Sequence, residues 1–148
     1  MRVLPKVLLF AAFSLLAACA TTAPKTDPAA SQEQVMQRVN LLLDRYARND
    51  QAGVLAMLDP SGITMLGTQF NESIKSPEEL RALMDRDFAQ WKSAKFSDVR
   101  EVDVRSDGTL ATAYFVMTWQ PGDNPAMPVR LTTTWRKVSG EWLQRRGP

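Results

Sequence analysis

The reactive side chains of this 148-residue chain are 16 carboxylates, 18 Lys or Arg, one cysteine and no histidine. Lack of His removes Ser-His-Asp and Cys-His catalysis, imidazole metal ligation and a His pH switch together. A single Cys allows no intrachain disulfide. Asp85 and Asp87 sit two apart on a helical stretch and so point to different faces. Asp98, Glu101 and Asp103 can meet on a strand, but solvation of a sheet face accounts for them without a catalytic dyad. The glycines show no phosphate-loop spacing. No residue is assigned a catalytic role, and no metal or cofactor is expected.

The cysteine has a clearer use. Residues 1–18 combine a basic start, Arg2 and Lys6, with an apolar run from Val7 to Leu16 that only Ser14 interrupts. The run is too short for an ordinary membrane span and ends in small residues, the anatomy of a secretory signal. Leu16-Ala17-Ala18-Cys19 closes it. This stretch resembles the lipobox of bacterial lipoproteins. The resemblance implies cleavage before Cys19, diacylglyceryl transfer to its thiol, and usually acylation (palmitate) of the new amine. Two or three acyl chains hold a protein stably at a membrane, where one does not. Ala20 and Thr21 follow the Cys, without the Asp that marks inner-membrane retention in that family. The implied address is the outer membrane, periplasmic side.

Ala20 to Ala30 contains Pro24 and Pro28 and no large apolar residue, so residues 19–31 read as a lipidated Cys on a disordered tether. Such a tether spans on the order of 20 Å. Once the leader is removed, basic and acidic residues balance at 16 each. That excludes the concentrated basic excess of a nucleic-acid binder.

The elements that must carry any site begin at Ser31, read as a helix N-cap with Gln34 at the capping-box position. Val35, Val39, Leu42, Leu43 and Tyr46 then form one apolar stripe. Asn49-Asp50 ends that helix, and Asp50 can cap a short second one with Val54, Leu55 and Leu58. Asp59-Pro60-Ser61-Gly62 is a turn, Ile63–Leu66 a short strand, and Gln69–Lys75 is ambiguous. Ser76-Pro77-Glu78-Glu79 starts a third helix whose stripe is Leu80, Leu83, Met84, Phe88 and Trp91.

Strand signals fill the rest. Lys95–Arg105 has Val99 out of phase with Phe96, Val102 and Val104, which predicts a bulge near Ser97-Asp98. Ser106-Asp107-Gly108 is a hairpin turn. The strand from Thr109 to Trp119 is apolar on both sides. Such a strand is central, or one of its faces lines a cavity. After a Pro-rich loop, Val129, Leu131, Thr133 and Trp135 alternate with Arg130, Thr132, Thr134 and Arg136. Ser139-Gly140 then turns the chain into Glu141–Gln144.

The order of these signals predicts an α+β cone, a curved antiparallel sheet covered by about three N-terminal helices, over residues 32–146. The residues that carry a family resemblance are Tyr46–Asp50 with Val54 to Leu58, Ser76 to Leu80 with Phe88, Asp107–Ala111, and Thr134–Lys137 with Gly140–Trp142. In this order they resemble the nuclear transport factor 2-like superfamily, with its SnoaL-like and ketosteroid-isomerase-like branches. In the isomerases a Tyr on the first helix, an Asp base and a late-strand acid do the chemistry. Here the corresponding positions hold Leu42, a residue near Leu66 or Gly67, and Thr132, with Tyr46 one turn away. Where other branches carry a His, this chain has Gln144-Arg145-Arg146. That activity is therefore not expected.

Two functional readings follow. The first is a non-enzymatic, membrane-anchored lipoprotein whose domain binds a small apolar ligand or a protein partner, with Tyr114, Met117, Trp119, Arg130, Thr132, Thr134 and Trp135 as wall candidates. The superfamily resemblance adds a homodimer through the sheet. The alternative is a small isomerase, cyclase or hydratase that needs an acid inside the cone, for which Asp103 is the best-placed candidate.

Overall fold

A computed structural model describes residues 28–66 and 73–145. The leader, Cys19, the tether as far as Asp27 and most of the ambiguous stretch 69–75 lie outside the described residues. The chain runs α1 (Pro28–Ala47), α2 (Gln51–Leu55), β1 (Met65–Leu66), β2 (Ser73–Ile74), α3 (Pro77–Trp91), β3 (Ala94–Ser106), β4 (Leu110–Pro121), β5 (Met127–Val138) and β6 (Glu141–Gln144). Strands β3-β4-β5-β6 form one antiparallel sheet in that order, and β1 and β2 form a separate antiparallel pair. The expected α+β architecture is observed.

Helix α1 begins a turn earlier than the Ser31 cap allowed, so Pro28, Ala29 and Ala30 are helical. Ser31 is buried inside the helix. It continues the stripe of Val35 and Val39 by one step of four residues, and that stripe faces the sheet. Gln34 makes no capping box. Its Oε1 accepts from Trp142 Nε1 at 3.1 Å and from Lys137 Nζ at 3.4 Å. Gln32 Nε2 donates to the Val104 carbonyl at 2.8 Å. Tertiary partners thus replace the local cap, and packing an apolar face outweighs a capping preference of about 1 kcal/mol. The two other cap assignments match the structure. Gly53 N donates to Asp50 Oδ1 at 2.9 Å, and Glu79 N donates to Ser76 Oγ at 3.2 Å.

The bulge expected near Ser97-Asp98 is present, and a second follows it. Register shifts separate Ser97 from Arg100 and Arg100 from Asp103. Asp98 and Glu101 each take a φ of 53° there, left-handed values costly for residues with a Cβ. Each bulge adds one residue to β3 against β4 and increases local twist. The sheet therefore curves around α1 rather than lying flat.

On its inner side β4 buries Ala111, Ala113, Phe115 and Met117 against Val35, Val39, Met57, Trp135 and Trp142. A second cluster of Val54, Ile63, Ile74, Leu80 and Met84 joins α2, β2 and α3. Tyr46 packs edge-on against Phe88 and Phe96, at centroid distances of 5.2 and 6.1 Å, and so ties α1 to both α3 and β3.

Where β4 leaves the sheet, Gly122 has a φ of 58°, and a Cβ there would come within 2.6 Å of the Trp91 carbonyl oxygen. Gly140 also has a positive φ but meets nothing. Gly122→Ala is therefore expected to lose about 3 kcal/mol, from strain plus a backbone clash. Gly140→Ala should lose only about 1 kcal/mol, from strain alone. Urea denaturation of the two variants checks the difference.

Candidate functional site

Cross-strand register divides the seven wall candidates between the two faces of the sheet. Met117, Trp119 and Trp135 lie on the inner face. Met117 and Trp135 are buried in the core. Trp135 Nε1 donates to Thr133 Oγ1 at 2.9 Å. Trp119 is half-buried and meets Trp91 edge-on at 5.0 Å. Tyr114, Arg130, Thr132 and Thr134 lie on the other face, where Tyr114 pairs with Thr132, Val116 with Arg130 and Thr112 with Thr134. The strict two-residue period of a strand produces this division. The seven form no single wall, but four of them form a patch.

No described helix covers that outer face. Tyr114 is 44% exposed at its centre, and Leu110 is exposed near the β3–β4 turn. Thr132 faces the tyrosine across β5, Thr112 and Thr134 fill the next row, and Asp103 faces it across β3. On the β3 side, Asp98 pairs with Arg100 at 2.5 Å and Asp103 with Arg105 at 3.0 Å. On the other side lie Arg130, opposite Val116, and Arg145, whose backbone N–H donates to the Thr134 carbonyl at 2.9 Å. Neither takes part in an ion pair among the described residues. An open trough of about 300 Å³ lies beside this face, lined by Arg105, Ser106, Asp107, Leu110, Ala111 and Thr112.

Among the described residues, the end of β6 is covered, whereas β5 from Met127 to Thr133 is paired on its β4 side alone. Leu58 bridges Gln144 in parallel along β6. The Asp59 N–H donates to the Gln144 carbonyl at 2.7 Å, and the Gln144 N–H to the Met57 carbonyl at 2.8 Å. The free edge of β3 is broken by its two bulges, a usual way of blocking further strand pairing.

Asp103, the acid sought inside the cone, is exposed on the outer face and paired with Arg105. Its pairing across from Tyr114 sets that side. Two other carboxylates are engaged by other elements, one half-buried and one buried. Asp87 on α3 accepts a hydrogen bond from the Tyr46 hydroxyl on α1. Sequence reasoning weighed Asp87 only as a partner for Asp85 and set it aside, although Asp87 continues the Leu80, Met84, Phe88 and Trp91 side of α3 at the positions i+3 from Met84 and i−4 from Trp91. Asp59 is buried and takes both arms of Arg136, with Nε and Nη2 each at 2.5 Å. Read from sequence as one residue of a turn, Asp59 also accepts from Ser61 N at 2.8 Å.

Hydrogen bonds from Arg136 hold the Asp59 carboxyl far below its ordinary value, against the opposing effect of burial, with the Ser61 amide assisting. The same bonds raise Arg136. This fork fixes the α2–β1 segment to β5. It leaves Asp59 with no proton to exchange near neutral pH.

The sequence profile of the SnoaL-like domain matches residues 35–143. The chain belongs to the SnoaL-like family. No curated protein matches this SnoaL-like chain by sequence. Its fold is that of the nuclear transport factor 2-like proteins. A Streptomyces avermitilis protein of that family, suggested to be a dehydratase, superposes with a TM-score of 0.68 at 15% identity, covering 81% of this chain and 95% of that one. A Pseudomonas putida family member of unknown function gives 0.70 at 18% identity, covering 80% and 84%. The association domain of C. elegans CaMKII gives 0.65 at 16% identity, covering 80% and 94%. At these identities the likeness shows the fold alone.

The Asp59–Arg136 fork predicts a pH dependence. A carboxylate whose folded pKa is depressed stabilises the fold above its unfolded value of about 4 and loses that contribution as pH falls through the folded value. Asp59→Asn should therefore destabilise the domain at pH 7 more than Asp103→Asn does. The gap between Asp59→Asn and wild type should narrow steadily below about pH 4. Urea midpoints measured from pH 7 down to pH 2 check both statements.

Proposed function

We propose that this SnoaL-like protein is a lipoprotein held through Cys19 at the periplasmic side of the outer membrane, and that its domain is a non-enzymatic association module. The observation that carries the second part is the exposed outer face centred on Tyr114. The bulges hinder strand addition along β3, and the face offers a partner side chains rather than backbone groups. Tyrosine with surrounding hydroxyls suits such a surface, since the ring supplies contact area and the hydroxyls adapt their hydrogen bonds. The similarity to a CaMKII association domain supports assembly as a use of this fold. The first part rests on the leader and its Leu16-Ala17-Ala18-Cys19 box.

The interior favours binding over turnover. Among the described residues, Asp59 is committed to Arg136, and Asp103 lies outside the cone. The alternative, a small isomerase, cyclase or hydratase, would have to use Asp87, whose hydrogen bond with Tyr46 is the one observation in its favour. Native mass spectrometry of protein extracted gently from its own membrane separates the two. Reproducible extra mass that is lost in Tyr46→Phe or Asp87→Asn would support an occupied cone, whereas clean multiples of the protein mass support association alone.

Two outcomes are expected. Cys19→Ser should block acylation and leave the leader attached, seen as a larger species without lipid label. Lipid labelling unchanged by this substitution would refute the anchor. Tyr114→Asp should abolish association while changing stability by no more than about 0.5 kcal/mol, the range for exposed substitutions. Chemical cross-linking in membranes and urea denaturation read the two effects separately.

A further inference from the structure

We propose that the unpaired edge of β5, from Pro128 to Thr132, takes an added strand from a partner polypeptide, an extended segment in which apolar residues alternate with acidic ones. This site is separate from the outer face, because it offers backbone groups to its occupant.

The edge exists because β6 is short. Strand β5 has 12 residues and β6 has 4. Strand β6 covers β5 from Trp135 to Val138, with one further bond from the Arg145 N–H to the Thr134 carbonyl. That bond shows which backbone groups turn toward the edge. In an antiparallel ladder, alternate residues of a strand direct both N–H and C=O to the same neighbour. Thr134 directs its carbonyl to β6, so Thr132, Arg130 and Pro128 turn theirs to that side, away from β4. Pro128 agrees independently, because a strand accepts proline where no ladder bond is lost. The open donors are therefore the N–H groups of Arg130 and Thr132. Pairing of β5 with β4 runs from Arg136 to Met127 without a register shift, so this edge is regular, unlike the bulged edge of β3. A regular edge with free N–H and C=O groups is a template on which an extended segment adds.

Side chains set the composition of that segment. Val129 and Leu131 point to the inner face, where they are half-buried against the core cluster. Residues of the added strand beside them gain by being apolar. Arg130 and Thr132 point to the outer face and are exposed. Arg130, Arg145 and Lys95, which lies on β3 opposite Gln120, form no ion pair among the described residues. Asp98 and Asp103 are held by Arg100 and Arg105, and Glu141 stands opposite Val138 at the far end of β6. Glu101 and Asp123 lie off the ladder, in the second bulge of β3 and in the β4–β5 loop. The edge is thus left with a positive charge at Arg130, and an acidic residue opposite it on the added strand completes the pair.

The test uses the full chain in detergent and a short peptide of alternating Val and Glu, with a Val and Lys peptide as its counterpart. Amide exchange followed by NMR should find Arg130 and Thr132 fast in the free chain, and Leu131 and Thr133, whose N–H groups face β4, slow. The Val and Glu peptide should slow exchange at Arg130 and Thr132 roughly tenfold or more. Thr132→Pro removes an edge donor without touching the β4 ladder, and should abolish this protection with the urea midpoint close to wild type. Thr132→Val keeps the N–H and should retain it. Arg130→Glu should shift the preference to the Val and Lys peptide. Slow exchange at Arg130 and Thr132 before any peptide is added would mean that the chain's own residues already hold the edge, and overturns the proposal. Absence of added protection, or protection that survives Thr132→Pro, overturns it as well. A preference unchanged by Arg130→Glu overturns the acidic requirement.

Discussion

The curvature of the sheet is the constraint on which the other features depend. A helix as long as α1 can bury its stripe only against a surface that wraps it, and a flat sheet offers no such surface. Two extra residues in β3 supply the bend, at the cost of left-handed backbone at Asp98 and Glu101. Burial of Val35, Val39, Phe115 and Trp135 in one cluster is what offsets that strain. The bend also turns the outer face into a smooth convex patch with no ladder of free backbone groups along its β3 edge. The same two bulges thus form the core and limit how the molecule can meet another.

Much of this was legible from pattern. Alternation gave β5 its two faces, and the bulge followed from Val99 falling out of phase. The caps at Asp50 and Ser76 depend on neighbours three residues away, which is why local reading found them. The capping box at Ser31 was misread because Gln34 is used by Trp142 and Lys137, residues more than 100 positions later. Nothing near Gln34 in sequence announces that use.

The candidate site shows the same boundary. Alternation already put Tyr114 opposite Met117, yet treating both as wall residues ignored that a sheet has two sides and only one was to be covered by helices. The Asp59–Arg136 fork joins residues 77 positions apart, and neither shows its partner in its own neighbourhood. Tyr46 and Asp87 lie on apolar stripes of separate helices. Their pairing depends on how the helices cross, which periodicity within each helix does not encode.

The distance in sequence between Gln34 and Trp142 has a consequence for biogenesis. Strands β3, β4, β5 and β6 follow one another as hairpins and can zip locally, whereas α1 finds its resting place only on the finished sheet. A chain that emerges N-terminus first therefore presents Val35, Val39 and Leu42 to its surroundings until residue 142 has also emerged. If Cys19 is captured by the bilayer in that interval, the waiting stripe sits beside a lipid surface that competes with the sheet for it. Escort by a holding chaperone, or rapid zipping of the hairpins, decides which of the two wins.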